Sequence, residues 1–251
     1  MAQALLVPLL ESGLISPPGV QAAVASHASA QRLSEAHGLA VSTDAEAAWA
    51  SPVVLLAVKP QQLEAVAAAV PPERGGLLIS VLAGVTLQRL QRLLPAWRCV
   101  RAVPNTPALV RQGLTGLAFA AEVSAEERDW VRQLFALVGE VAELPETQLD
   151  AFLALTSSGP AFIALVAEAM ADGAVAAGLP RALAQHLAHR TLAGTAALLH
   201  EQELHPGMLK DMVSSPGGTT IAGLRHLERQ GLRSALIEAV VAAAERSRQL
   251  A

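Results

Sequence analysis

The chain has 251 residues and a mass of 26.0 kDa, with 52% hydrophobic residues, 16% charged residues and a mean hydropathy of +0.40. Disorder needs low hydrophobicity and high charge, so this composition excludes it. A formal charge of -4 and a pI of about 6.0 give no basic field for nucleic acid, and one cysteine, Cys99, excludes an intrachain disulfide framework or a Cys-rich zinc site.

Aromatic residues make up 3%, with no Tyr, so the core is expected to be aliphatic, and few rings are left for stacking bases. No segment is expected to span a membrane. The longest uncharged apolar run, between Asp150 and Glu168, is interrupted by Thr156-Ser157-Ser158-Gly159-Pro160, and a span needs about 20 mostly apolar residues. The N-terminus has no basic residue before its apolar stretch and no clear cleavage site, so no secretory signal is expected. The single Cys fits a reducing cytoplasm.

The first half of the chain alternates. Residues 2–12 carry Leu5, Leu6, Leu9 and Leu10 at helical spacing, with Gly13 as a stop. A short strand is expected at 20–25, a helix at 29–37 ended by Gly38, a short strand at 39–41 and an acid-capped helix at 44–49. Residues 53–58 are uninterruptedly apolar, which suits a strand buried on both faces. Then follow a helix at 60–70, a strand at 77–82, a helix at 86–94, a strand at 98–103 and a further strand at 114–120. Ser124 with Glu127 three residues on marks a capped helix over 124–138. Strand and helix alternating at this spacing implies a doubly wound α/β sheet over residues 1–146.

Residues 147–251 show no strand run. Helices are expected at 147–156, 160–177, 180–201, 206–213, 219–228 and 231–250. The stretch 160–177 is apolar on most faces, so it lies in a core or between subunits. A helical domain of this size exposes too much apolar area alone, which implies an obligate oligomer.

The strongest local signal is Ser214-Ser215-Pro216-Gly217-Gly218-Thr219-Thr220 before a helical pattern. A Pro-Gly-Gly turn lets backbone approach a ligand, and free N–H groups at a helix start favour a carboxylate or phosphate. From spacing alone, a plain helix cap is an equally good reading. Lys59-Pro60, Ala83-Gly84 and Val103-Pro104-Asn105-Thr106-Pro107 each follow a strand, at the sheet edge where ligands bind. Lys59 as a solvated strand-end lysine is the commoner alternative. Either X-Pro bond of the last motif is open to the cis form. His186 and His189 are three apart on a helix, but no carboxylate or Cys completes a set, so they read as surface histidines rather than metal ligands. Ser157-Ser158-Gly159 is a helix cap and not a nucleophile elbow. No Gly-x-Gly-x-x-Gly occurs.

At these residues the chain resembles pyrroline-5-carboxylate reductase over essentially its whole length. The most specific stretch is Asp211-Met212-Val213-Ser214-Ser215-Pro216-Gly217-Gly218-Thr219-Thr220. Support comes from Leu56-Ala57-Val58-Lys59-Pro60, Ala83-Gly84-Val85-Thr86, the 103–107 motif and Ser158-Gly159-Pro160-Ala161-Phe162. The resemblance implies an N-terminal Rossmann-like domain and a C-terminal all-helical domain that forms a homodimer by interleaving, with dimers assembling into a ring. It implies reduction of 1-pyrroline-5-carboxylate, a small-molecule substrate, to L-proline with NADPH or NADH. The substrate carboxylate is expected on the N–H groups of Gly218, Thr219 and Thr220, with Ser215 beside it. Thr220 is expected to bond the ring nitrogen, and Glu203 aligns with a family acid. Cofactor contacts map onto Lys59, Pro60, Ala83, Gly84, Val103 and Asn105. At the end of the 20–25 strand, Ser26, His27, Ser29 and Arg32 offer donors and no acid, so NADPH is expected over NADH.

One departure stands out. Family members begin with a strand and a glycine-rich loop ending in Gly-Asn-Met-Ala, and Met1-Ala2 match the last pair. Roughly ten residues are expected to be absent, leaving the sheet without its central strand. Two alternatives follow. One is a truncated, non-catalytic oligomeric paralogue that lacks the cofactor loop. The other is a β-hydroxyacid-type dehydrogenase or imine reductase of the same plan, which relies on a helix-borne Lys in the second domain; the only Lys there is Lys210, just before the signature, which argues against it.

Overall fold

The computed structural model describes residues 2–249; Met1, and position 250 of the last expected helix, lie outside the described residues. Two compact units are present. One runs through Ser157 and takes in the chain from Ala243 onward; the other is Ser158–Ala242. The first unit therefore reaches past the boundary expected at 146/147.

In the first unit, α1 (Ala2–Glu11) precedes β1 (Gln21–Ala23), α2 (His27–His37), β2 (Ala40–Ser42) and α3 (Glu46–Trp49). Gly38 stops α2 at φ 65, a left-handed conformation that glycine adopts without cost. Then come β3 (Val53–Leu56), α4 (Leu63–Ala68), β4 (Gly76–Ser80), α5 (Leu87–Leu93) and β5 (Trp97–Pro104). The unit continues with β6 (Gly113–Phe119), α6 (Ala125–Ala136), β7 (Gly139–Glu143) and α7 (Leu149–Thr156). The expected capping box forms at α6: Glu127 N–H donates to Ser124 Oγ at 3.2 Å, and Ser124 N–H donates to Glu127 Oε2 at 3.0 Å.

The strands form two separate sheets. β1 and β2 pair in parallel, and the second sheet has the order β3-β4-β5-β6-β7. Between β1 and β3 no described strand bridges the two. β3, β4 and β5 are parallel, whereas β6 runs antiparallel to β5. The link between β5 and β6 is too short for a crossover helix, so the chain turns straight back. α6 then supplies a crossover, and β7 lies parallel to β6. β7 was not expected from sequence. It is an edge strand, Gly-Glu-Val-Ala-Glu, too polar to stand out as an apolar run. β3 is also an edge strand, which is why Val53, Val54 and Leu55 are only half-buried, against the expectation of burial on both faces. No described peptide bond is cis, so both X-Pro bonds of the 103–107 motif are trans.

The core of this unit is aliphatic, as composition required: Leu77, Leu78, Ile79, Val100 and Leu117 are each at most 2% exposed. Trp49 and Trp97 add an edge-to-face pair at 5.4 Å. α7 sits close on β6. A Cβ at Gly116 would meet Phe152 at 2.8 Å and Leu149 at 3.0 Å, so only glycine allows this approach. That packing carries α7 into the first unit.

The second unit holds α8 (Gly159–Ala176), α9 (Arg181–Glu201), α10 (Pro206–Met212), α11 (Thr219–Arg229) and most of α12 (Leu232–Gln249). Its buried apolar cluster is small: Ala171, Ala184 and Ala188, with Ala174 and Val175 packed against it. Ile163 is 53% exposed and Leu165 66%. Three alanines bury far too little area to order a bundle this long. By length and composition the stretch Glu146–Ala176, with hydropathy 1.6, qualifies as a membrane span, contrary to the sequence expectation. The stretch is two helices: the chain breaks at Ser157 and Ser158 between α7 and α8.

Candidate functional site

The turn before α11 is built by its sequence. Pro216 presets one central position, Gly217 takes φ 69 at the next, and the Gly218 N–H closes the turn on the Ser215 carbonyl at 3.0 Å. That is a type II turn, with Pro and Gly where each is favoured. A Cβ at Gly218 would lie 2.3 Å from Ser215 Oγ and 3.1 Å from the Ser215 carbonyl oxygen, so a side chain there turns the Ser215 hydroxyl away and crowds the turn.

Gly218 then serves as the N-cap of α11 and contributes no side-chain cap bond. The first intrahelical bond runs from Ala222 N–H to the Gly218 carbonyl at 3.3 Å. The N–H groups of Thr219, Thr220 and Ile221 are left open at a helix start, as helix geometry dictates. The Gly218 N–H is committed to the turn, which leaves Thr219, Thr220 and Ile221 as the open backbone donors. Ile221 stands among them by its backbone position alone. Thr219 and Ser215 are exposed and Thr220 is half-buried. Behind the turn, the buried Ser214 hydroxyl has no hydrogen-bond partner.

Glu203 lies in the turn from α9 to α10 at φ 49, with its N–H donating to the His200 carbonyl at 3.3 Å. Its exposed carboxylate makes no ion pair among the described residues. His189 lines a cavity of about 390 Å³ between α8 and α9 with Glu168, Asp172, Arg181 and Gln185. Among the described residues no three His, Cys, Asp or Glu side chains gather to hold a metal ion. Lys210 is on α10 and exposed.

In the first unit, Lys59 is exposed beyond β3, its N–H held by Gln62 Oε1 at 3.3 Å, and Pro60 follows in a 3-10 turn. Beyond β4, Ala83 is exposed and Gly84 turns the chain at φ 72. Val103, 6% exposed, is in β5 itself.

Asn105 departs from its expected role. It is 4% exposed, its Nδ2 donates to the Thr156 carbonyl at 2.9 Å, and its Oδ1 accepts the Leu114 N–H at 2.8 Å. The amide straps β5, β6 and α7 together rather than projecting freely over the sheet edge.

Beyond β1, Ser26 caps α2, accepting the Ser29 N–H at 3.3 Å and bonding Ser29 Oγ at 3.1 Å. His27 and Arg32 are exposed, and Arg32 makes no ion pair among the described residues.

A buried ionic cluster escaped the sequence reading. Arg101, on β5 between β4 and β6, is 2% exposed. Its Nη1 lies 3.3 Å from Glu146 Oε1, and its Nη2 lies 3.7 Å from Asp150 Oδ1. Glu146 Oε1 also accepts the Leu87 N–H at 2.7 Å, and Asp150 accepts the Ser247 hydroxyl at 2.6 Å. Buried arginine needs such acids, and the signal was the Glu146–Asp150 spacing of one helical turn.

The comparisons decide the family. The chain is 47% identical to a pyrroline-5-carboxylate reductase from Synechocystis sp. over 100% of its own length and 94% of that protein. The chain belongs to the pyrroline-5-carboxylate reductase family. The enzyme of that name from Escherichia coli is 37% identical, over 100% of this chain and 94% of that one. The family model for pyrroline-5-carboxylate reductase dimerisation matches residues 146–250, and a model for NADP oxidoreductase, coenzyme F420-dependent, matches residues 1–84. The 1-pyrroline-5-carboxylate reductase structure from Streptococcus pyogenes superposes with a TM-score of 0.89 at 30% identity, covering 99% of this chain and 95% of that one. The Plasmodium falciparum pyrroline carboxylate reductase, solved with NADP bound, gives 0.88 at 26% identity over 99% and 93%. Within this family the architecture is a Rossmann-like N-terminal domain followed by a helical dimerisation domain.

Proposed function

We propose that the chain catalyses reduction of 1-pyrroline-5-carboxylate to L-proline by NADPH. The imine carbon gains a hydride, the ring nitrogen gains a proton, and NADP+ is released. The observation that carries this reading is the set of open N–H groups at Thr219, Thr220 and Ile221, in a turn where Gly217 supplies the positive φ. Three convergent donors at a helix start hold a small carboxylate without a charged side chain.

NADPH supplies the hydride when bound. The residues present fit it. Arg32 and His27 on α2, exposed and without ion pairs among the described residues, match a 2′-phosphate, and residues 26–32 include no acid to reject it. Lys59, Pro60 and Ala83 offer the sheet-edge surface, with Gly84, Val103 and the Asn105 backbone behind them. The chain's own task is placement. The α11 amides hold the carboxylate, Ser215 lies beside them, and Thr220 Oγ orients the ring nitrogen. A Thr hydroxyl is a poor acid at neutral pH, so the substrate arrives protonated or takes its proton from water. Glu203 is assigned to the same loop chemistry.

The assembly is a homodimer through the helices of residues 158–242, extending to a ring of dimers. The three-alanine core and the exposed Ile163 and Leu165 support it. Cys99 is free and buried, in keeping with a reducing cytoplasm. The test is oxidation of NADPH and NADH with pyrroline-5-carboxylate, on the parent and on Thr220→Ala. Higher kcat/KM with NADPH, and reduced turnover in the variant with its oligomer intact, are expected. Comparable values for both cofactors oppose the NADPH assignment, full activity of Thr220→Ala opposes the role of that residue, and no turnover favours a non-catalytic paralogue.

A further inference from the structure

The loop of residues 81–86 leaves the end of β4 and carries Ala83 and Gly84. Local bonds shape it. The Val81 N–H donates to the Leu56 carbonyl at 3.0 Å, the Leu82 N–H to Ser80 Oγ at 3.4 Å, and Thr86 Oγ1 accepts the Arg89 N–H at 3.2 Å. Leu82 and Val85, 2% and 0% exposed, seat the loop on the core, and the exposed Ala83 stands between them with Gly84 turning the chain at φ 72. One tie comes from far along the chain. Glu146 Oε1 accepts the N–H of Leu87, the first residue of α5, at 2.7 Å across a separation of 59 residues.

That carboxylate is itself oriented. The same oxygen lies 3.3 Å from Arg101 Nη1, and Arg101 is held in β5 directly opposite Ser80 of β4. A hydrogen bond to an ionised acceptor is about twice as strong as a neutral one. The acceptor is thus fixed to the strand beside the one from which the loop springs, and the loop is clamped at its far end to the sheet that launches it.

We propose that Glu146, oriented by Arg101, is a positioning residue for the dinucleotide: through the Leu87 N–H it holds the turn at Ala83 and Gly84 in its cofactor-binding shape. The inference rests on the reading that this turn contacts NADPH. Glu146 touches neither cofactor nor substrate in this account. It lowers the ordering cost that binding would otherwise meet.

The test uses the full chain and two variants. Glu146→Ala removes both the acceptor and the charge. Glu146→Gln keeps a carbonyl for Leu87 but loses the ionic tie to Arg101. NADPH Kd is read by tryptophan fluorescence, alongside kcat and both KM values. Glu146→Ala is expected to raise the Kd and KM for NADPH about tenfold, with the KM for pyrroline-5-carboxylate within about twofold, and Glu146→Gln to fall between. An unchanged NADPH Kd, or an equal rise in both KM values, overturns the proposal. If Glu146→Ala does not fold, Glu146→Gln decides by the same Kd. A parent that binds no NADPH overturns the cofactor reading itself, whereas a parent and variants that bind it equally well overturn only the role of Glu146.

Discussion

Replacing Arg101 by Met leaves Glu146 and Asp150 without their shared cation. Met fills much of the same space, so the loss is mainly electrostatic. Breaking a fully buried pair costs about 3–5 kcal/mol because the remaining charge is stranded. Here the side chains of Glu146 and Asp150 keep 28% and 19% exposure, and Arg101 Nε and Nη2 already lack hydrogen-bond partners. Water relieves part of the penalty, and the arginine was imperfectly satisfied to begin with, so about 2–3 kcal/mol is expected. Urea unfolding followed by tryptophan fluorescence is the assay, since Trp49, Trp97 and Trp130 all belong to the first unit. Adding Asp150→Asn should restore part of the loss, because one stranded charge is gone while Oδ1 still accepts the Ser247 hydroxyl. Arg101→Met as stable as the parent, or a double variant with purely additive losses, refutes the reasoning.

Three other outcomes follow from single sites. Burial pushes the Cys99 thiol up to about 12, so a thiol reagent should label it only as fast as the first unit unfolds; rapid labelling under native conditions contradicts this. The Arg98 guanidinium, at 2.6 and 3.0 Å, holds the Glu127 carboxyl below the ordinary carboxylate range. A depressed carboxyl pKa stabilises the fold above the unfolded value of about 4.3 and loses that contribution as pH falls through the folded one. Glu127→Gln should therefore cost about 0.5–1 kcal/mol near neutral pH and progressively less below about pH 4, in melts taken across pH; a constant gap between the two proteins is the contrary result. Gly218→Ala places a methyl 3.1 Å from the Ser215 carbonyl oxygen and against Ser215 Oγ, which must turn away, and crowds the mouth of α11. It should raise the KM for pyrroline-5-carboxylate about tenfold, the equivalent of about 1.4 kcal/mol, while NADPH affinity holds; an unchanged KM shows the turn is not the carboxylate site.

Much of this was legible in sequence because local chemistry and tertiary structure agree. Gly38 closes α2, Ser124 with Glu127 opens α6, and Pro216-Gly217 makes its turn, each by short-range rules. What was missed depends on partners distant in sequence. β7 has two glutamates among its five residues and is a strand because it pairs with β6. The reversal at β6 follows from the length of a loop, not from the residues of the strand. Asn105 at a strand end looked like a ligand contact, but Thr156 and Leu114, reachable only in the fold, claim its amide. Arg101 gave no local sign of burial; Glu146 and Asp150, more than forty residues on, meet it in the fold. At the α11 turn only geometry shows that the Gly218 N–H faces the Ser215 carbonyl.

The role proposed for the backbone amides at the start of α11 is to hold the carboxylate of the substrate. The direct measurement compares kcat/KM for pyrroline-5-carboxylate with that for 1-pyrroline, the same ring without its carboxylate, at fixed NADPH. Loss of a charge-assisted set of hydrogen bonds should lower kcat/KM about a hundredfold or more for the bare ring. Equal values for the two imines would contradict the claim.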